Sequence, residues 1–257
     1  MKAKKTVSTV LICIFAAVFL FSAANLIRIL FRYHKADKLY TDLQDRYVAA
    51  APHKTDESNK ENSSDSEKTP ETGIIQVDFA ALQAQYPDVV GWLYCEGTPI
   101  NYPVVQADDN DYYLRRDIDS NSLVSGTLFA DYRNRQLCEE PCTIIYGHNM
   151  DDNSMFGTLP DYDDAYYAAH PVIWFLTPEK NFKIALCAGV IVAQDAAIYQ
   201  QPADPETLDD LIKNSRAQST FSADVTVRAD DRLLILSTCA NHDSTKRYLL
   251  IGKVTEA

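Results

Sequence analysis

The strongest constraint on this chain lies at its start. Residues 7–24 are an almost unbroken apolar run, and Leu26, Ile27, Leu30 and Phe31 extend it to the length of a membrane span. Lys2, Lys4 and Lys5 precede the run, and Arg28, Arg32 and Lys35 follow it. Ser22-Ala23-Ala24 has the small side chains of a signal-peptide cleavage site. The run is nevertheless long for a cleaved leader and continues past that site, so residues 1–32 read as a cytoplasmic tip and an uncleaved transmembrane signal anchor. Basic residues on both sides leave orientation to the rest of the chain. The net charge is −12, and residues 1–35 carry +6 with no acid, so the remainder carries −18. That acidic remainder fits the outer side of a membrane and argues against nucleic acid as a partner, because phosphate recognition needs a basic surface.

Residues 33–72 are expected to be a juxtamembrane helix and a tether. Leu39, Leu43 and Tyr47 recur at helical spacing. Pro52 to Thr72 is then almost wholly Lys, Asp, Glu, Ser, Asn and Thr, which cannot bury enough apolar surface to offset the entropy of ordering it. A folded domain over 73–257 remains. Asp78 reads as the N-cap of a short helix through Gln85, with Pro87 beyond it. Strands are predicted at Val89–Tyr94, Ile100–Gln106, Gly126–Asp131, Thr143–His148, Phe182–Ala193, Asp224–Arg228, Arg232–Thr238 and Tyr248–Val254. Short helices are predicted at Asp161–Ala169 and at Pro205–Ser215, the latter with Asp204 as cap. About eight strands without βαβ alternation predict a mostly β domain, a closed or nearly closed barrel with short peripheral helices.

Two clusters invite metal or disulfide readings. Asp108, Asp109 and Asp111 lack the ligand and glycine spacing of a calcium loop and read as a solvated helix start. Cys138 and Cys142 have no second Cys or His pair at zinc-ligand spacing, so they read as small buried hydrophobes, as do Cys95 and Cys187.

Cys239 reads differently. It follows the buried-strand run Leu233–Leu236 and the polar pair Ser237-Thr238, and Arg247 opens the next apolar run. A thiol at the end of one strand and a guanidinium at the start of the next can share a pocket, where the cation would stabilise an oxyanion or position a substrate backbone. A nucleophilic thiol also needs a base. His34 and His53 lie in the juxtamembrane and tether segments, and His170 precedes a proline in a predicted loop. His242 is three residues from Cys239 but in a polar loop, whereas His148 ends a strand after Gly147 and can emerge at a barrel rim. Spacing alone puts His148 only modestly ahead of His242, and leaves Arg247 evenly divided between surface cation and site residue.

Leu236-Ser237-Thr238-Cys239 followed by Arg247 resembles the sortase signature, Thr-Leu-x-Thr-Cys with a downstream Arg. The resemblance extends through Asp88-Val89-Val90-Gly91-Trp92-Leu93, Asn101-Tyr102-Pro103-Val104-Val105-Gln106 and Asp131-Tyr132-Arg133-Asn134. It is strongest across Ile144-Ile145-Tyr146-Gly147-His148-Asn149-Met150 and Ser154-Met155-Phe156-Gly157, and the pattern is most similar to class B, with residues 205–215 as that class's extra helix. One departure is Ile235, where the signature has its first Thr. The resemblance implies Cys239 as nucleophile, His148 as general acid and base, and Arg247 as the oxyanion or positioning cation. Thr238 and Ser237 would line the substrate pocket. It implies a membrane-anchored transpeptidase that cleaves a C-terminal sorting motif of secreted proteins through a thioester. The acyl group then passes to an amine of a peptidoglycan precursor or of a pilin, without metal or organic cofactor. A membrane-anchored cysteine peptidase and a non-catalytic surface binding module are the alternatives.

Overall fold

The computed structural model describes residues 2–49, 74–200, 205–240 and 243–257. The expected tether, the Asp204 cap, His53 and His242 lie outside the described residues. The chain divides into two compact units, Met1–Asp42 and Leu43–Ala257. One long helix, α1 (Lys2–Tyr47), makes up the first unit and continues into the second. It is long and apolar enough to cross a membrane by length and composition. Phe15, Phe19, Phe21 and Phe31 each expose 70% or more of their surface, which water alone would not favour.

The second unit starts thirty residues before the predicted domain. Leu43 and Tyr47, in the last turns of α1, are buried. The Tyr47 hydroxyl donates to Gln85 Oε1 at 2.8 Å, and the Gln44 amide donates to the Asn101 carbonyl at 2.7 Å. Two short strands, β1 (Val48–Ala49) and β2 (Gln76–Val77), then pair antiparallel. Asp78 caps α2 (Phe79–Gln85) as predicted, its carboxylate accepting from the Ala81 amide at 3.0 Å.

Eight strands close into a barrel. They are β3 (Val89–Tyr94), β4 (Asn101–Val105), β5 (Leu128–Ala130), β6 (Cys142–Tyr146), β7 (Val172–Leu176), β8 (Asn181–Ala193), β9 (Leu233–Ala240) and β10 (Asp243–Glu256). Their order round the barrel is β10-β8-β7-β3-β4-β5-β6-β9. The pairs β4–β5 and β6–β9 are parallel, and the others are antiparallel. Two helices lie outside, α3 (Asp164–Ala169) and α4 (Pro205–Gln218), together with 3₁₀ turns at Tyr112–Arg115, Leu159–Asp161 and Ala197–Tyr199. Asp109 Oδ1 accepts from the amides of Asp111 and Tyr112 at 2.9 and 2.7 Å, so that acidic cluster starts a helical turn.

The expected count of eight strands holds, but one member differs. Residues 224–228 form no strand: Val225 and Val227 pack on the core while the backbone runs outside the ladders, and the Val225 carbonyl accepts from Arg216 Nη2 at 2.6 Å. The eighth strand is β7, an apolar pentapeptide inserted between β3 and β8. The predicted strand through His148 ends at Tyr146.

Strand burial records what covers each face. Along β8 half-buried and buried residues alternate from Asn181 to Leu186, and from Leu186 to Val190 every residue is buried. In that second half Cys187 and Val190 pack with Leu208 of α4, Ile198, and Leu249 and Ile251 of β10. The β8–β10 register shifts there, pairing Ala188 with Ile251 and Leu186 with Gly252, so Cys187 is the extra residue of a bulge. The same layer takes Cys142 and Ile144 from β6, and Leu233 and Ile235 from β9. β9 therefore reads as an unbroken apolar run because the barrel interior covers one face and α4 with its flanking segments the other. Ile235 is 0% exposed, so the departure from the signature Thr is a core residue here. Ile235→Ala is expected to destabilise by about 2–5 kcal/mol, read as a lowered urea midpoint with unchanged slope.

Candidate active site

The site grows out of the β6–β9 pairing. Parallel register matches Ile144 with Ile235 and Tyr146 with Ser237. Beyond Tyr146 the strand ends, but three further bonds keep the two chains together. The Gly147 amide donates to the Ser237 carbonyl at 3.2 Å, and the Thr238 hydroxyl donates to the Gly147 carbonyl at 2.8 Å. The Asn149 side-chain amide donates to the Cys239 carbonyl at 3.0 Å. His148 is thus bracketed by two residues that are both tied to the segment ending in Cys239.

Gly147 is required by space: a Cβ there would lie 2.6 Å from the Phe156 ring and would also collide with Leu128. Phe156 is held by a hydrogen bond that its backbone N–H donates to the His148 carbonyl at 3.0 Å. The imidazole is half-buried, and its Nε2 lies 2.7 Å from the Leu114 carbonyl on the Tyr112–Arg115 turn. Burial pulls its pKa below the ordinary histidine value; the Leu114 carbonyl acts against this, and the charge of Arg115 adds to it. The His148 ring is therefore uncharged near neutral pH.

Arg247 comes to Cys239 by register. The two are directly opposed on antiparallel β9 and β10, so their side chains stand on one face with Cβ atoms about 5 Å apart. On the other side of Arg247, β8 contributes Val192. Cys239 is a free thiol of intermediate exposure. Cys95, Cys138, Cys142 and Cys187 are also free but buried, and burial raises the thiol pKa of Cys95, Cys138 and Cys187. Of the remaining histidines, His34 is exposed on α1, and His170 ends α3 with its Nδ1 2.9 Å from the Glu96 carbonyl. Among the described residues, no group of three His, Cys, Asp or Glu could hold a metal ion.

Thr238 and Ser237, expected to line a substrate pocket, are both 2% exposed, and each hydroxyl has an internal partner. That of Thr238 ties down Gly147, and that of Ser237 lies 2.8 Å from the Tyr199 hydroxyl. Tyr199 had no signal in the sequence. It comes from the long β8–β9 connection, and its ring stacks on Tyr146 at 6.2 Å between centroids. Burial pushes its phenol up to about 12, tempered by the Ser237 bond and by the charge of Arg247.

Tyr146 in turn donates to Asp131 Oδ2 at 2.9 Å. Asp131 is fully buried and gripped by Arg133 through two bonds, Nε to Oδ1 at 2.8 Å and Nη2 to Oδ2 at 2.7 Å. Burial pushes the Asp131 carboxyl up, but the bonds from Arg133, Tyr146 and Asn110 outweigh it and leave it below its ordinary value. A charged pair on one side of β6 thereby fixes a tyrosine pair beside the thiol strand.

No protein-family model matches the chain. Sortase B of Listeria monocytogenes is 35% identical over 196 residues, which is 75% of this chain and 78% of that protein. Sortase B of Staphylococcus aureus is 30% identical over 184 residues, 70% of this chain and 75% of that protein. The chain belongs to the sortase B family. It is accordingly a cysteine transpeptidase of sortase type. The crystal structure of S. aureus sortase B matches this fold with a TM-score of 0.64 at 30% identity, covering 70% of this chain and 87% of that one. Sortase B from B. anthracis, in complex with AAEK1, matches with a TM-score of 0.71 at 26% identity, over 89% of this chain and all of that one. A sortase B–substrate complex from S. aureus is among the similar structures.

The sortase B barrel makes the Thr238 hydroxyl a structural tie with a testable cost. Thr238→Val keeps the shape but leaves the Gly147 carbonyl without that donor. A loss of about 1–3 kcal/mol in unfolding free energy is expected, measured by urea denaturation.

Proposed function

We propose that this chain is a membrane-anchored sortase B that joins secreted proteins bearing a C-terminal sorting motif to an amine of a peptidoglycan precursor. The observation that carries the reading is the register opposing Arg247 to Cys239, beside the β6 end that carries His148. In this scheme His148 takes the thiol proton of Cys239, and the thiolate attacks the carbonyl of the motif's Thr. The Arg247 guanidinium faces the developing oxyanion. Collapse breaks the peptide bond, His148 gives its proton to the departing amine, and a thioester to Cys239 remains. The acceptor amine then attacks the thioester while His148 removes its proton, and collapse expels the Cys239 sulfur, which takes that proton back from His148 and leaves as the thiol. No metal or organic cofactor enters any step.

Anchoring rests on α1, whose apolar length and exposed phenylalanines suit a bilayer. With the catalytic domain held outside, the tether raises its effective concentration toward substrates still at the membrane. Ser237 and Thr238 would then shape the site from behind Cys239, by holding Tyr199 and Gly147.

The test is turnover of a panel of sorting-like peptides, with and without an amine acceptor, and mass spectrometry for the Cys239 acyl-enzyme. A thioester that passes to the amine is the expected result; water as sole acceptor even at high amine would instead assign a peptidase. Cys239→Ala is expected to abolish turnover, and His148→Ala to lower it by about 10²–10⁴-fold. Arg247→Lys should lose about 10²–10³-fold, because an ammonium lacks the planar donor fork. His242→Ala should stay near wild type, and a loss equal to that of His148→Ala would move the base to His242. Neutral His148 is the competent form for attack, so kcat/KM should fall as pH drops through its folded pKa. Because that pKa is lowered, the acid limb should lie below about 6.5.

A further inference from the structure

The contact between His148 Nε2 and the Leu114 carbonyl, 2.7 Å, fixes more than the position of the ring. A peptide carbonyl has no proton to give, so the imidazole must be the donor and Nε2 must carry the hydrogen. In the neutral ring the lone pair then belongs to Nδ1, which makes no hydrogen bond among the described residues. We infer that the Leu114 carbonyl is a positioning group that locks His148 in the Nε2–H tautomer, so that the proton exchanged with Cys239 and the amines moves on and off Nδ1. The inference rests on His148 being the acid–base of the proposed reaction. It adds which nitrogen works and what selects it.

The turn that offers this carbonyl is itself built to hold still. The Leu114 amide donates to the Asp111 carbonyl at 3.2 Å, and the Leu123 amide donates to the Arg115 carbonyl at 3.0 Å. The Thr127 amide donates to the Tyr113 carbonyl at 3.2 Å, and the Thr127 hydroxyl to the Arg116 carbonyl at 3.0 Å. Gly126 closes the back of the turn at φ +59°, where a Cβ would lie 2.6 Å from the Leu114 oxygen and 2.7 Å from the Tyr113 oxygen. Glycine is needed there both for its backbone angle and for the space it leaves behind that oxygen. When His148 takes the thiol proton, Nε2–H still donates to Leu114 and the bond becomes charge-assisted. The carbonyl thus orients the ring and steadies the imidazolium, the two services a carboxylate gives histidine in Ser-His-Asp triads. It does so without a fixed negative charge, which would have raised the histidine pKa.

The experiment is ¹⁵N NMR of the full chain in detergent micelles, labelled at histidine, with the His148 signals assigned by their loss in His148→Gln. Near neutral pH the expected spectrum has Nε2 in the protonated, pyrrole-like range and Nδ1 in the unprotonated, pyridine-like range. The opposite pattern, or averaged shifts showing mixed tautomers, would overturn the inference. Gly126→Ala, which pushes on the Leu114 oxygen, should move the pattern toward the mixture. It should also lower kcat by about ten- to a hundredfold, part of what a positioned acid–base supplies, with KM nearly unchanged. A folded Gly126→Ala variant with an unmoved tautomer and unchanged kcat would also overturn it. If that variant does not fold, the wild-type spectrum decides alone. The spectrum is independent of turnover, so an Nε2–H ring in a chain whose His148→Ala variant keeps full activity would defeat the reaction scheme, whereas the opposite tautomer in a chain that needs His148 would defeat only this inference.

Discussion

The parallel contact between β6 and β9 is the interaction on which the site depends. The strands lie 87 or more residues apart in parts of the chain, yet their five matched pairs run from Cys142–Leu233 to Tyr146–Ser237. Two residues past the last pair lie His148, beyond the end of β6, and Cys239, still within β9. A slip of one residue would turn every side chain of β9 to the opposite face. It would bring Leu234 and Leu236 into the layer now filled by Leu233 and Ile235, and it would turn Cys239 away from Arg247. The apolar packing that stabilises the barrel and the register that aligns the thiol are therefore one constraint. The bonds of Gly147, Thr238 and Asn149 extend that register past the last ladder pair, where the backbone would otherwise be free to diverge.

A second layer braces the strand that carries Cys239 from outside. The β8–β9 connection crosses the face of β8, β10, β9 and β6, with Ile198 and Leu208 in the core layer and Leu211, Ile212, Val225 and Val227 packed against it. That connection also delivers Tyr199 to Ser237, and Tyr199 meets Tyr146, whose hydroxyl ends on the buried Asp131–Arg133 pair. Asp131 carries its charge at the cost of desolvation, offset only because Arg133, Tyr146 and Asn110 all donate to it. Its folded pKa lies below the unfolded value, so this contribution to stability is present above about pH 4 and fades as pH falls through the folded pKa. The site is thus clamped from one side by apolar packing and from the other by a hydrogen-bonded charge.

Much of this was legible in the residues, for reasons that also explain the gaps. Cys239 and Arg247 are close in sequence on consecutive strands, so the strand pattern suggested that they could share a pocket, while the register that opposes them appears only in the fold. The barrel strands with long apolar runs, β6, β8, β9 and β10, were visible because burial on both faces writes itself into composition. Val225 and Val227 carry the right alternation for a strand, and both do pack on the core; in a closed barrel no strand edge was left for them to pair with. Val172–Leu176, a short apolar run between a proline and a turn, took the eighth place. His148 could be preferred only modestly from spacing, because nothing local says which histidine the topology will carry to Cys239. Tyr199 and the Leu114 carbonyl were out of reach. One sits on an irregular connection, and the other is a backbone group that every residue possesses.

The electrostatic design of the site follows from what surrounds His148. The chain beyond its first 35 residues is strongly acidic, and a carboxylate beside the imidazole would have been easy to supply. The orienting partner is a neutral carbonyl instead, the charge that shifts the ring's pKa is the cation of Arg115, and burial removes water. All but the carbonyl favour the uncharged imidazole. A neutral base has to take a proton before it can give one, and in the proposed scheme that proton comes from the Cys239 thiol. Formation of the nucleophile and charging of the acid are then a single transfer, and each half of the reaction returns histidine to the state in which it began. In the same scheme Arg247, opposite Cys239 in the ladder, supplies a fixed positive charge whether or not His148 is protonated. Separating the permanent cation from the titrating one would let the same two residues serve both the cleavage and the transfer that we propose.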